Sequence, residues 1–119
     1  MRDQVPIEAV PGVLAAFDAG LLPYADIPMT RYTYPAKLHQ YLAAGLPVAS
    51  VPLPDLVDLA DLVTTGTGPA GFVAAVERAM GDGRAEERRA VAAANSWDDR
   101  LAALSALLER HLEGIPPPA

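Results

Sequence analysis

Three short, largely apolar runs, separated by segments with helical periodicity, constrain the fold of this chain more than any other feature. The runs cover residues 20–24, 47–51 and 61–65. Apolar runs of about five residues are typical of strands buried on both faces, and alternation with helices of about ten residues is typical of a parallel sheet. We therefore predict an α/β fold in three layers, with a parallel sheet of about three strands and helices on both faces.

The helical segments before, between and after these strands can be located from the sequence. A stripe of apolar residues predicts a short helix over 8–17. A second helix spans 35–44, with Pro35 just inside its start and Gly45 just past its end. The remaining helical segments lie at 72–80 and 84–94.

A last helix extends the fold towards the C-terminus. Ser96 is a typical N-cap residue, with Asp99 at the third helical position. The apolar stripe of this helix consists of Trp97, Leu101, Leu104 and Leu108. Its spacing predicts that one side of the helix packs into the core. The proline-rich residues 115–119 are predicted to form a disordered tail, so the folded domain is expected to cover residues 1–114.

Length and charge limit the classes of function. A chain of 119 residues forms one domain and cannot enclose a cleft between two. Nine basic against fifteen acidic side chains give a formal net charge of −6, which argues against nucleic-acid binding because that binding depends on neutralising phosphates. The chain has no cysteine and only two histidines, so neither disulfides nor a metal site are expected.

No targeting or transmembrane segment is expected. The first residues include Arg2, Asp3 and Glu8 and lack the apolar stretch of a secretory signal. The longest stretch without charged residues, 38–54, is interrupted by glycine and proline. We therefore expect a cytoplasmic protein.

One basic residue stands out from the others. Eight of the nine basic side chains are arginine, and the only lysine, Lys37, lies at the start of the helix predicted over 35–44. The first turn of a helix has free N–H groups and the positive end of the helix dipole, which suits a phosphate. Gln40 lies on the same face, with its Cβ about 5 to 6 Å from that of Lys37. Its amide can donate to and accept from ribose hydroxyls. The pair could hold a nucleoside diphosphate, although a lysine here could also be a chance feature of a solvated face.

The segment around Lys37 resembles a known family. Residues 34–50, YPAKLHQYLAAGLPVAS, resemble the signature YPxKLxEYLAAGxPVVS in the donor-binding domain of GT-B fold glycosyltransferases of the group 1, family 4-like type. Residues 15–24 resemble the AxxDVGLLPY segment of that family, residues 52–56 its TPLPEL segment, and residues 95–100 its NSWDxR element. These motifs follow in the family's order across nearly the whole chain.

The resemblance implies a Rossmann-like fold and a place within a longer enzyme. Two such domains face each other in these enzymes, and the nucleoside-diphosphate sugar binds at the carboxyl ends of the strands of the C-terminal one. Residues 1–114 would then form the C-terminal part of this donor-binding domain, without its opening strands and without the acceptor domain. The catalytic residues of this chain stay unknown, and no cofactor is implied besides the donor substrate. The chain alone is expected to be inactive or nearly so.

The resemblance also assigns site residues. Lys37 would contact the diphosphate and position 40 the ribose. Many relatives carry glutamate at the second position, whereas Gln40 can bind the hydroxyls without offering a charged acceptor. The rule that ligands bind at the carboxyl ends of parallel strands, rather than the resemblance, places Tyr24 and Arg31 at the border of the pocket, with Arg31 supporting a phosphate and Tyr34 available for stacking. Each of these three could instead be a solvated loop residue, and Tyr34 could simply cover the start of the helix.

Other polar residues are expected to have structural roles. His39 points about 100° round the helix from Gln40, so a surface or packing role is favoured over catalysis. The acidic cluster of Asp55, Asp58 and Asp61 is interpreted as a solvated face rather than as a pair of catalytic carboxylates.

The predicted function is the donor-binding part of a glycosyltransferase that transfers a sugar from a nucleoside-diphosphate sugar to an acceptor hydroxyl. The family makes cell-envelope or exopolysaccharide glycans reasonable acceptors. The alternative is a non-catalytic module that uses the same helix to bind a nucleotide or a partner protein. An unpaired sheet edge at 20–24 would favour pairing with a complementary acceptor-domain chain or with a second copy. A receiver-like domain is less favoured, because the chain opens on a helix rather than on a strand that ends in acidic residues.

Overall fold

The computed structural model describes residues 4–113 of the chain, and the predicted tail at 115–119 lies outside the described residues. The strands are β1 (Gly20–Leu22), β2 (Val48–Ser50) and β3 (Val63–Thr65). The α-helices are α1 (Val10–Leu14), α2 (Ala36–Ala43), α3 (Gly68–Met80), α4 (Ala85–Ala93) and α5 (Trp97–Leu112). Short 3-10 helices cover Ile7–Ala9, Pro28–Tyr32 and Pro54–Leu59.

The three strands form one parallel sheet in the order β1-β2-β3, which confirms the predicted α/β class. Gly20 pairs with Val48, and Val48 pairs with Val63, so the first residues of the three strands lie next to one another across the sheet. Among residues 4–113, β1 pairs with β2 alone. The far side of β1 is therefore a strand edge without a neighbour in the described part of the chain.

Helices cover both faces of this sheet. On one face, Leu38 and Leu42 of α2 pack in one cluster with Val48. On the opposite face, Ala75 of α3 packs against Ala49. Because successive residues of a strand point to opposite faces, β2 is buried on both sides and forms the centre of three layers.

A buried arginine fixes α4 against the end of α2. The Arg88 side chain is 1% exposed, and its Nε donates to the backbone oxygen of Gly45 at 3.0 Å. Its Nη2 donates to the backbone oxygen of Asp82 at 3.0 Å, and its Nη1 lies 3.1 Å from the Asp82 carboxylate. Gly45 has a φ of +76°, which is consistent with its predicted place just past the end of α2. Arg88 therefore ties three chain segments together.

The carboxylate of Asp82 receives a second arginine from the exposed side. Hydrogen bonds from Arg84 hold the pKa of Asp82 well below its ordinary value, and the neighbouring Arg88 lowers it further, while partial burial opposes both. Asp82 therefore stays ionised far into the acid range. Its contribution to stability is fully present above the ordinary carboxyl pKa and is lost as the pH falls through the lowered value.

Helix α5 departs from the sequence prediction. Its start is as expected, because the Asp99 N–H donates to the Ser96 Oγ at 3.1 Å. Its apolar stripe is not packed, since Trp97 is 87% exposed and Leu101 is 62% exposed. The prediction that the stripe belongs to the core is therefore wrong: periodicity shows that one side of a helix is apolar, not that this chain supplies a surface to cover it. The Cα radius of gyration, 17.8 Å, is accordingly larger than the roughly 13.5 Å of a compact chain of this length.

No helix within residues 4–113 has both the length and the apolar character needed to cross a bilayer.

Candidate functional site

A groove of about 640 Å³ lies where the three strands end. Its walls come from the segment after β1, from the segment after β2, and from the start of α3 after β3. The polar and aromatic side chains at this groove belong to Tyr24, Asp26, Thr30, Thr67 and Phe72. Parallel strands bring their carboxyl ends to one edge, and ligands of open α/β sheets bind at that edge. The groove is therefore placed where the fold class predicts a binding site.

A close contact between two glycines shapes one wall of this groove. The N–H of Gly66 donates to the backbone oxygen of Ser50 at 3.0 Å, which continues the sheet past β3. A Cβ atom at Gly66 would lie 1.9 Å from the backbone oxygen of Gly71 in α3. Only a residue without a side chain lets the chain turn so tightly from β3 into α3.

The first turn of α2 lies at the same edge of the sheet. Because β1 and β2 are parallel, the helix between them runs in the opposite direction and begins where the strands end. Its N-cap residue, Pro35, provides no side-chain hydrogen bond. The Leu38 N–H donates to the Pro35 backbone oxygen at 3.0 Å. The N–H groups of Ala36 and Lys37 come before it in the first turn, where a helix provides no backbone acceptor. The start of α2 thus presents donors that an anion could use.

Lys37 adds a positive charge to these donors. Its side chain is exposed, and no carboxylate within residues 4–113 forms an ion pair with it. Gln40 follows three residues later, is exposed as well, and borders a groove of about 420 Å³ between α1 and α2. Residues three apart on a helix lie on the same face. The structure therefore leaves an ammonium group and an amide side by side and accessible to a ligand.

The five predicted site residues do not all line one pocket. Tyr24 lines the groove at the strand ends, whereas Lys37 and Gln40 lie on α2 outside its lining. Arg31 is exposed on the 3-10 helix Pro28–Tyr32 and is not part of that lining either. The hydroxyl of Tyr34 is hydrogen-bonded to a side chain of α2 rather than directed into the groove. Their roles towards a nucleotide stay predictions.

The partner of Tyr34 is His39, for which a surface or packing role is predicted. The Tyr34 Oη lies 2.6 Å from the His39 Nε2, and the two rings stack with their centroids 5.6 Å apart. The guanidinium carbon of Arg100 lies 6.0 Å from the centre of the Tyr34 ring. Burial lowers the pKa of His39, and the nearby charge of Arg100 lowers it further. No pattern in the sequence pairs these three residues, because the contact joins a loop, a helix and the start of a distant helix.

Comparisons with known proteins relate the chain to glycosyltransferases. It is 31% identical over 97 residues to a protein of Bacillus subtilis (strain 168) described as "Putative teichuronic acid biosynthesis glycosyltransferase TuaH". The similar region covers 75% of this chain and 24% of the relative, so the chain spans about a quarter of that protein's length. No family model matches the chain, and no solved structure matches it.

Proposed function

We propose that this chain is part of the nucleotide-sugar-binding domain of a GT-B fold glycosyltransferase. Residues 1–114 would form the C-terminal part of that domain. The observation that carries the proposal is the only lysine of the chain, Lys37, exposed in the first turn of an uncapped helix at the carboxyl edge of a parallel sheet. The similarity to a protein named as a glycosyltransferase supports the same class of function.

The proposed chemistry is electrostatic. The N–H groups at the start of α2 and the ammonium group of Lys37 would bind the diphosphate of the donor and stabilise the negative charge that develops on it as the sugar leaves. Gln40 would orient the ribose by accepting from and donating to its hydroxyls. Tyr24 in the strand-end groove would border the sugar nucleotide, with Arg31 and Tyr34 as flanking residues. The reaction transfers the sugar from the nucleoside diphosphate to an acceptor hydroxyl.

The acceptor is proposed to be a cell-envelope or exopolysaccharide glycan. The description of the relative, which names teichuronic acid biosynthesis, supports a role in glycan synthesis. By the resemblance to GT-B enzymes, the acceptor would bind on a second domain, and a general base, where the enzyme uses one, would lie there as well. We therefore propose that this chain is inactive or nearly inactive by itself and works with an acceptor domain, joined to it or supplied by a complementary chain.

A second candidate function is a non-catalytic module that binds a nucleotide or a partner protein. Two apolar or unpaired surfaces favour it. The outer edge of β1 has no neighbouring strand among residues 4–113, and the stripe of α5 that begins at Trp97 is exposed. Both surfaces suit association with a complementary chain or a second copy.

Calorimetric titration with UDP and with GDP tests the proposal. We expect the unmodified chain to bind at least one of them and Lys37→Ala to bind it about tenfold more weakly or worse, because a charge-assisted bond to phosphate is lost. Arg110→Ala is the matched control, since it removes one exposed positive charge near the other end of the chain and should leave the affinity unchanged. Equal affinity of Lys37→Ala and the unmodified chain would refute the assignment of this site.

A further inference from the structure

A histidine and a tyrosine close over the helix turn that carries Lys37. Tyr34 precedes the helix and His39 lies in its second turn, so the 2.6 Å bond between Oη and Nε2 bridges the first turn from outside. That turn has no capping side chain of its own, because its N-cap is Pro35. The Tyr34–His39 bond therefore supplies a fixed link between the incoming loop and the helix at the place where a cap is missing.

The surroundings of His39 favour its neutral form. Its Nδ1 is buried and has no hydrogen-bond partner among the described residues. The charge that acts on the ring is cationic, namely Arg100 of α5. Arg89 of α4, which is paired with Glu86, borders the same shallow groove as His39. Protonation would add a positive charge beside Arg100 and would leave a buried Nδ1–H without an acceptor.

We propose that Tyr34 and His39 are positioning residues for the first turn of α2, and that they hold it in its binding geometry only while His39 is neutral. The effect of this pair on ligand binding rests on the proposed function, in which that turn binds a diphosphate. When His39 is protonated, its Nε2–H donates to the Tyr34 Oη, its buried Nδ1–H has no acceptor, and the stacked pair becomes a cation beside Arg100. The repulsion by Arg100 and the unpaired Nδ1–H then disfavour this position of the ring, and the N–H groups near Lys37 lose their fixed orientation.

The sign of the pH effect follows from the lowered pKa of His39. A histidine whose pKa is lowered in the folded chain stabilises the native arrangement fully above its ordinary value near 6.5. That contribution is lost as the pH falls through the lowered value. The affinity for a diphosphate should therefore fall as the pH drops below about 6.5, with the same midpoint as the titration of His39.

The experiment compares the full chain with His39→Gln and Tyr34→Phe between pH 8 and pH 5. The probe is UDP-glucose or GDP-mannose, according to which of UDP and GDP the chain binds, since the phosphates of such esters stay ionised throughout this range. We expect the unmodified chain to lose about fivefold in affinity as His39 is protonated. His39→Gln keeps a neutral acceptor for Tyr34 and should show wild-type affinity with no such loss. Tyr34→Phe should bind about fivefold more weakly already at pH 8.

A second measurement does not depend on any ligand. In NMR spectra of the free chain, the amide signals of Ala36, Lys37 and Leu38 should shift with the same midpoint as the ring of His39, and should stay fixed in His39→Gln. Parallel loss of affinity in the unmodified chain and His39→Gln, or first-turn amides that ignore the His39 titration, would overturn the proposal. Absence of binding by every protein at every pH would instead refute the proposed function, and the amide titration would decide the positioning role by itself.

Discussion

Gly66→Ala is expected to lower the free energy of unfolding by about 3 kcal/mol, the upper range for overpacked sites. The added methyl group would lie 1.9 Å from the Gly71 oxygen and 2.4 Å from the carbonyl carbon of the same residue. Both are backbone atoms of α3, so no side-chain rotation can relieve the clash. The start of α3 must move away from β3, and the groove at the strand ends changes shape with it. Urea denaturation followed by far-UV circular dichroism measures the loss.

The other glycine of this contact provides the control. A Cβ atom at Gly71 would meet Gly66 at 3.5 and 3.8 Å, which is ordinary van der Waals contact, and Gly71 lies inside α3. Gly71→Ala should therefore be neutral or stabilise the chain by up to about 1 kcal/mol, the usual gain from alanine in a helix. Similar stability of the two variants would contradict the close packing of β3 on α3.

Arg88→Met is expected to destabilise the chain by a similar amount, about 3 kcal/mol, because one partner of a buried ion pair is removed. The backbone oxygens of Gly45 and Asp82 lose their donor, and the Asp82 carboxylate keeps only Arg84. Urea denaturation at pH 7 and at pH 3 measures the effect. At pH 3 the difference in unfolding free energy between variant and unmodified chain should shrink, because Asp82 is then largely protonated in the unfolded chain and the stabilisation that comes from its lowered pKa in the folded chain is partly lost.

The residue next in the sequence is the control for this prediction. Arg89 pairs with Glu86, but the two side chains are 47% and 89% exposed, so water screens the pair. Arg89→Ala should cost less than about 1 kcal/mol. If Arg88→Met were as mild as Arg89→Ala, the link that Arg88 makes between α4 and the end of α2 would be refuted.

The contrast between these two arginines shows where sequence reasoning reached its limit. In a helix rich in charge and alanine, either arginine could have been the buried one. The available signal was spacing: Arg88 shares a helical stripe with Ala85, Val91 and Ala92, which are partly buried. The burial of Arg88 itself depends on its hydrogen bonds to the backbone oxygens of Gly45 and Asp82. Gly45 is distant in the sequence, so no local pattern specifies this contact.

Helix α2 was predicted to within one residue at each end, because both of its ends carry local signals. Pro35 and Gly45 restrict the backbone directly, and the structure places the helix between them. The 3-10 helices Pro28–Tyr32 and Pro54–Leu59 were not predicted, since a proline marks a break without specifying the turn that follows. The predicted burial of the α5 stripe was wrong for another reason, because tertiary contacts decide what covers an apolar face.

The candidate site was predicted in part. Spacing placed Lys37 and Gln40 on one accessible face of α2, and the fold has them there. The bond between Tyr34 and His39 depends on how the incoming loop folds back over the helix, so the sequence alone could not supply it.

Amide chemical-shift mapping tests the central claim most directly, namely that the first turn of α2 binds a nucleoside diphosphate. UDP and GDP are added to the isotope-labelled chain and to Lys37→Ala. The largest shifts should fall on Ala36, Lys37, Leu38 and Gln40, and Lys37→Ala should lose them. Shifts confined to other elements, or no shifts at millimolar nucleotide in the unmodified chain, would contradict it.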